Sequence, residues 1–415
     1  MSMPPSPARR VWRWCRRILA ATLTLLALAG IVRLTVPATG GQDGEPPGAR
    51  RQLAFLRSAL DAGAGEQAQT LFPEGYFFLH ALYGLAWTEL GRREPPARRE
   101  TALREARWAL RRLDSPAGQA PFSPGLTPPH GVFYRGWTNW LRGGVLTLQT
   151  RRDPAETRRF AEDSAALAAA FDASTSPFLE AYPGQAWPVD STVAMASLRL
   201  HDTLLPPRFG GTADRWLQGV RPRLDPRTGL LPHRADPGSG TPAEVARGSS
   251  QSMIQRFLPE IDRGFAAEQY TRFRDLYVVR PLGLGPATRE YPQDMDGPGD
   301  VDSGPLPLGV SLSATVVTLG AAQVHGDAPL AEALAAYGEL AGLPIDTPWT
   351  KRYAFGLLPI GDAFLAWSKT ARPWVTAGPP PAPGITPWWR APLLSALALL
   401  AVAPWIPAAL RRRRR

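Results

Sequence analysis

The chain holds one cysteine, Cys15, and it stands in an arginine-rich leader, so the remainder can form no disulfide. A zinc site of the thiolate type is excluded for the same reason. Acidic residues are missing from both ends, all 36 lying between Asp43 and Asp362. Strand signals are thin: only VPATG (36–40) and YVVRPLG (277–283) offer short local pairing. No GxSxG elbow, phosphate-binding P-loop or dinucleotide fingerprint occurs. A chain without disulfides or long strands has to be held by a large helical core.

The lack of acids at the ends explains the net charge of +11. Arg9, Arg10, Arg13, Arg16 and Arg17 lead the chain, and five more arginines occupy 411–415. Without those ten, 37 basic residues face 36 acids, so the interior is close to neutral. A nucleic-acid partner, which needs a basic face, is not expected. The arginines flank two apolar runs instead, residues 18–32, which Arg33 ends, and residues 391–410, which number 20. About 20 apolar residues span a bilayer. Both runs carry their arginines on the outer side of the pair. The positive-inside rule then expects both termini in the cytoplasm and residues 39–388 beyond the membrane. A cleaved signal peptide is the alternative reading of the N-terminus, because Ala27-Leu28-Ala29 is a small-x-small site. The expected organisation is a leader and signal anchor (1–38), a linker (39–49), an exported domain (50–372), a Pro-rich linker (373–390), a transmembrane segment (391–410) and an arginine tail (411–415).

Within the expected domain two kinds of segment alternate. Residues 51–63, 96–114, 153–173, 208–224, 264–279 and 328–342 place apolar side chains three and four apart with charges between, as amphipathic outer helices do. Residues 73–91, 133–149, 182–202, 246–262, 301–327 and 351–370 each begin in a loop of glycine, proline and aromatics and run into an apolar helix with few charges. Helices apolar all round belong in an interior. The pairs recur every 50 to 60 residues or so, one helical hairpin at a time. Six inner helices inside six outer ones make an all-α (α/α)6 barrel, and such closure lets the whole domain share one core.

This pattern of six loop-plus-inner-helix units, with YPGQAWPVDS around Trp187 and Asp190, resembles the six-hairpin glycosidase superfamily over residues 50–371. The linalool dehydratase-isomerase toroids share the architecture. The resemblance implies a toroid with a carbohydrate-type cleft at the helix mouths, without fixing a reaction.

Residues 289–327 are the most site-like stretch, crowding Glu290, Asp294, Asp296, Asp300 and Asp302 before an almost uncharged helix. Glycoside cleavage needs one carboxylic acid and one carboxylate about 5 to 10 Å apart. Asp190 and Asp302, at the mouths of inner helices 3 and 5, are the candidate pair, with Glu74 at helix 1 as the third. The structural alternative for both aspartates is a helix N-cap. Asp294, Asp296 and Asp300 suggest a calcium loop, although Pro305 stands where an EF-hand places its closing glutamate. Tyr76, Trp137, Tyr182, Trp187 and Tyr291 offer flat faces to a saccharide or isoprenoid, while Arg247 and Gln251 offer hydrogen bonds. His80, inside an inner helix, is a general base or a satisfied core residue. The leading expectation is a membrane-held domain that binds a saccharide and cleaves it with paired carboxylates. Its alternatives are a non-catalytic envelope binding protein and a dehydratase-isomerase on small alcohols, the last favoured by a closed aromatic cleft.

Overall fold

A computed structural model describes residues 7–40, 44–375 and 387–406 of the chain, with side chains from Val11 onward. The protein is mostly helical. The amphipathic segments form α2 (Ala49–Asp61), α5 (Glu100–Leu113), α8 (Pro154–Ala173), α10 (Gly210–Val220), α12 (Arg263–Tyr277) and α14 (Ala328–Ala341). The apolar ones form α4 (Gly75–Arg93), α7 (Gly131–Leu148), α9 (Pro188–Leu204), α11 (Gly248–Ile261), α13 (Leu312–Val324) and α15 (Pro359–Thr370). Two short helices, α3 (Ala64–Leu71) and α6 (Pro116–Gln119), were not expected.

Local chemistry sets the starts of several helices. The Asp153 carboxylate accepts from the amides of Ala155 and Glu156, and Pro154 follows with a φ already suited to a first turn. Asp262, Ser311 and Asp327 cap α12, α13 and α14 in the same way. The apolar helices touch in cyclic order: α4 with α7, α7 with α9, α9 with α11, α11 with α13, α13 with α15, and α15 with α4. The closest of these approaches depends on glycine. A Cβ on Gly136 of α7 would lie 3.0 Å from the Ala194 backbone of α9. The amphipathic helices lie outside, α5 against α4 and α7, α8 against α7 and α9, α14 against α13.

The strands are local clips. β1 (Arg234–Ala235) pairs with β2 (Pro242–Glu244), and β6 (Ile345–Asp346) with β7 (Lys351–Arg352). β3 (Val278–Val279), β4 (Ala287–Arg289) and β5 (Val310–Ser311) form an antiparallel sheet that delivers the chain to α13. Of the two expected pairing segments, YVV supplies β3 and VPATG supplies no strand.

The N-terminal helix α1 (Pro7–Thr35) contains Val11–Thr35, long and apolar enough to cross a membrane. Arg33 does not end it: the helix runs on, and the guanidinium reaches the Pro344 carbonyl at 3.0 Å. The C-terminal run is helical as α16 (Arg390–Val402), shorter than a span, with residues 407–410 outside the described residues. The arginine tail and the GPPPAPG segment (378–384) also lie outside them. α16 packs on α1, where Thr24 Oγ1 donates to the Ala401 carbonyl and accepts from Trp405 Nε1, each at 2.9 Å.

Candidate functional site

The apolar helices begin at one end of the bundle, the mouth, and finish at the other, the base. A cavity of about 400 Å³ opens at the mouth, walled by the first turns of these helices and the loops that enter them. Most of its wall is apolar: Phe72, Phe78, Phe133, Trp137, Met253 and Phe364 among others. Three carboxylates line it, Glu74 before α4, Asp190 in α9 and Asp302 before α13. They come from alternate members of the cycle, so they approach the cavity from three sides.

Asp190 is buried, and no hydrogen bond to its carboxyl is found among the described residues. It stands in the first turn of α9, and Trp187 occupies the cap position. Burial, and then the charges of Glu74 and Asp302, push its carboxyl well above the ordinary carboxylate range. Asp302 sits at the rim, one side open to solvent. Burial of the other side, with Asp300 and Glu74 nearby, raises its carboxyl to about 6. Asp302 does not cap α13 either; Ser311 does, accepting from the Ala314 amide at 3.2 Å. Glu74 accepts the Tyr182 hydroxyl. That phenol is held strongly neutral, first by burial and then by the Glu74 charge.

Among the described residues no lysine or arginine lines the cavity. His233 does, but it is buried and bonded through Nδ1 to Ser250 Oγ at 2.6 Å; burial, then Arg247, lowers its imidazole to about 3. It is a neutral ring at any physiological pH. Two aromatic planes complete the mouth, Tyr182 against Trp187 edge-on at 6.0 Å.

Other expected residues face elsewhere. Arg247 is spent on carboxylates, Nε to Glu290 at 2.8 Å and Nη2 to Asp300 at 2.7 Å. Tyr291 lies outside the cavity wall, beneath that guanidinium. Gln251 is fully buried and donates to the Leu231 carbonyl at 2.6 Å. Tyr76 stacks on His80 inside the core, and His80 Nδ1 is bonded to the Tyr76 carbonyl, which makes that histidine a satisfied core residue. The calcium loop is taken apart by arginines: Asp294 pairs with Arg227, Asp296 with Arg289 and Asp300 with Arg247, each at 2.7 Å. Among the described residues no group of three or more histidine, cysteine or acidic side chains is placed to hold a metal ion.

Reasoning from sequence thus found the three carboxylates, Trp137, Tyr182 and Trp187, and missed His233 and the phenylalanine wall. His233 lies in a long loop with no ligand-spaced partner. The phenylalanines are indistinguishable from core in an all-apolar helix. No protein-family model matches the chain, and no curated protein matches it.

Proposed function

We propose that this chain is a membrane-anchored (α/α)6 toroid whose mouth carries out acid–base chemistry on a largely apolar alcohol, eliminating or rearranging its hydroxyl. The cyclic order of inner-helix contacts supports the toroid. The apolar Val11–Thr35 helix and its pairing with α16 support a membrane hairpin with both termini on the cytoplasmic side. Ala27 and Leu34 are wholly covered by protein, which favours an uncleaved anchor over a signal peptide.

One observation carries the chemistry: three mutually repelling carboxylates share an apolar cavity whose described wall holds no lysine or arginine. Such an environment keeps a carboxylic acid protonated at neutral pH, as a general acid requires. In the proposed step Asp190, neutral, gives its proton to the substrate hydroxyl. The C–O bond breaks and water leaves. Glu74, steadied by the Tyr182 hydroxyl, takes a proton from the adjacent carbon, whose C–H electrons become the new double bond. Glu74 then releases its proton to solvent at the rim and Asp190 takes one up from there, with Asp302 as the relay, so both groups are reset and no net proton is consumed. Positive charge developing on carbon faces Trp137, Phe78 and Phe133, and aromatic faces stabilise cations. Saccharide cleavage, the other enzymatic reading, asks for donors to many hydroxyls, and this wall offers few beyond Ser249, Ser250 and Ser313.

The test is a panel of isoprenoid and aliphatic alcohols, beside soluble oligosaccharides, incubated with the full chain in detergent and followed by mass spectrometry. Loss of water from an alcohol, abolished in Asp190→Asn, is the expected result. Release of sugars instead, or binding without turnover, would overturn it in favour of a glycosidase or a binding protein respectively.

A further inference from the structure

We infer that the mouth of the cavity docks into the bilayer and draws its substrate, a lipid with a long apolar chain, directly from the leaflet. This rests on the membrane-anchor reading above and names the substrate class for its acid–base site.

The direction in which the apolar helices leave the bundle comes first. α1 runs antiparallel to α14. The Ala38 amide donates to Glu332, Leu34 packs with Ala333 and Ala336, and Gly30 lies against Leu340. Residues before Gly30 therefore project past the C-terminal end of α14. α16 departs the same way, Trp389 beside Leu34, Leu397 beside Gly30 and Ala401 beside Thr24. The C-terminal end of α14 is the mouth end, since the chain passes from it into α15, whose first turns supply Ile360 and Phe364 to the cavity. A bilayer around α1 and α16 lies on the mouth side.

The exposed apolar side chains lie on that same side. Between Ala49 and Thr370, every exposed large apolar side chain sits in a segment entering α4, α13 or α15, or at the first residue of one. The segments entering α7, α9 and α11 display none. α13, α15 and α4 are consecutive in the cycle, and α14, where the membrane helices dock, packs on α13. The apolar rim is thus a sector, continuous with the membrane helices. Leu282, Trp349 and Leu357 are about four-fifths exposed there. Single exposed apolar residues are ordinary, whereas a contiguous patch marks a partner, and here the adjoining partner is lipid.

Backbone geometry marks the same rim: of the six non-glycine residues with positive φ among the described residues, all but His130 lie in the segments entering α13 and α15. In the turns closed by Gly283 to Arg280, Gly309 to Leu306 and Gly356 to Tyr353, the third position holds Leu282, Leu308 and Phe355 at φ of 54°, 55° and 61°. That position favours glycine or asparagine, because a Cβ is strained in the left-handed region. Three turns accept this strain to hold a large apolar side chain outward. Local outliers of this kind cluster where a surface is used.

The test uses the full chain in phosphatidylcholine vesicles. On a Cys15→Ser background, a nitroxide on a cysteine at position 357 is compared with one at position 151, in the base loop after α7. Docking predicts that the label at 357 is relaxed by oxygen held in lipid and shielded from a water-soluble nickel complex, with the reverse at 151. Equal exposure of both labels to the nickel complex overturns it. A second arm measures turnover of a long-chain isoprenoid alcohol in vesicles and of a short water-soluble homologue. Combining F355S with L357S should lower the first by about tenfold, through lost apolar insertion, and spare the second. Loss on both substrates alike overturns the role of the rim. A lipid-immersed label with full turnover in Asp190→Asn keeps the docking and refutes the acid–base reading; a wet label with that variant inactive does the reverse.

Discussion

The two ends of the bundle bury carboxylates in opposite ways. At the base, Glu89 of α4 and Glu260 of α11 meet Arg256, which reaches Glu89 Oε1 at 2.6 Å and stands 3.7 Å from Glu260. The amides of Trp374 and Val375 donate to Glu260, and Trp374 stacks on Trp140 at 4.4 Å beneath the aromatic layer of Phe257 and Trp367. Both buried glutamates there face the one Arg256 guanidinium. At the mouth, Glu74, Asp190 and Asp302 line an open cavity whose described wall holds no lysine or arginine, and Arg247 acts on Asp302 only from beyond that wall. Burial raises the proton affinity of Glu260 as well, but Arg256 and the two amides oppose that rise and tie the helices together, whereas Asp190 has no such partner among the described residues and stays available to a ligand.

The largest effect should follow from breaking the charge pairing at the base. Arg256→Met leaves Glu89 and Glu260 buried without their cation, which costs about 3–5 kcal/mol in comparable pairs. A thermal melt should fall steeply or show no folded state. A melt within a few degrees of the parent would mean that base and mouth are not different in kind.

Next is Asp190→Asn. An amide has the shape of the protonated acid, and burial with the charges of Glu74 and Asp302 pushes the Asp190 carboxyl well above the ordinary carboxylate range, toward that form. Folding should therefore be unaffected or slightly favoured. Turnover should drop by a factor on the order of 10² or more, as when a general acid is removed. Destabilisation resembling that of Arg256→Met would make Asp190 a structural charge after all.

The sequence exposed much of this division and hid its details. All twelve alternating segments are helical because their apolar spacing and their proline, glycine and aspartate punctuation agree. α3 escaped notice because AGEQAQTL is short and weakly patterned, and β3 to β5 because strands of two or three residues show no alternation. At the mouth, position in the chain located Glu74, Asp190 and Asp302, since each precedes or opens an inner helix. Which way a loop side chain turns was not readable. Arg247 and Tyr291 are as close to helix mouths as Asp302, yet Arg247 is captured by Glu290, 43 residues away, and Tyr291 lies under it. The ion pairs in the acidic loop were hidden for the same reason, since the arginines that claim Asp294 and Asp300 are remote in sequence.

A smaller effect concerns pH. The Asp302 carboxyl, raised to about 6 by burial and by Asp300 and Glu74, binds its proton more tightly folded than unfolded. Its contribution to stability is complete below the ordinary aspartate range and is lost as pH rises through about 6. The rim position lets solvent screen the effect, so less than about 1 kcal/mol is expected. Asp302→Asn should melt like the parent at pH 4 and slightly higher than the parent at pH 8, values chosen to bracket that range. A difference of the opposite sign would mean that the Arg247 charge outweighs burial and the acidic neighbours at Asp302.

The smallest effect tests whether the mouth gives up stability for its surface. Phe355 holds φ at 61° and is 60% exposed as a residue, so it contributes strain to the fold and little packing. Asparagine enters the left-handed region several-fold more readily than other side chains with a Cβ. Phe355→Asn should therefore raise the stability of the chain in detergent by about 0.5 kcal/mol, a fraction of the left-handed penalty. Leu357→Asn is the control, because Leu357 is even more exposed, at 81%, but has φ of −73° and no such strain to release. It should leave the melt unchanged. Both variants should weaken the contact of the rim with vesicles. Stabilisation by Phe355→Asn together with weaker vesicle contact would identify the turn as a place where folding free energy is spent on a surface. A loss of stability instead would show that the Phe355 ring is packed in solution, and the mouth would then resemble the base in holding its large side chains for structure.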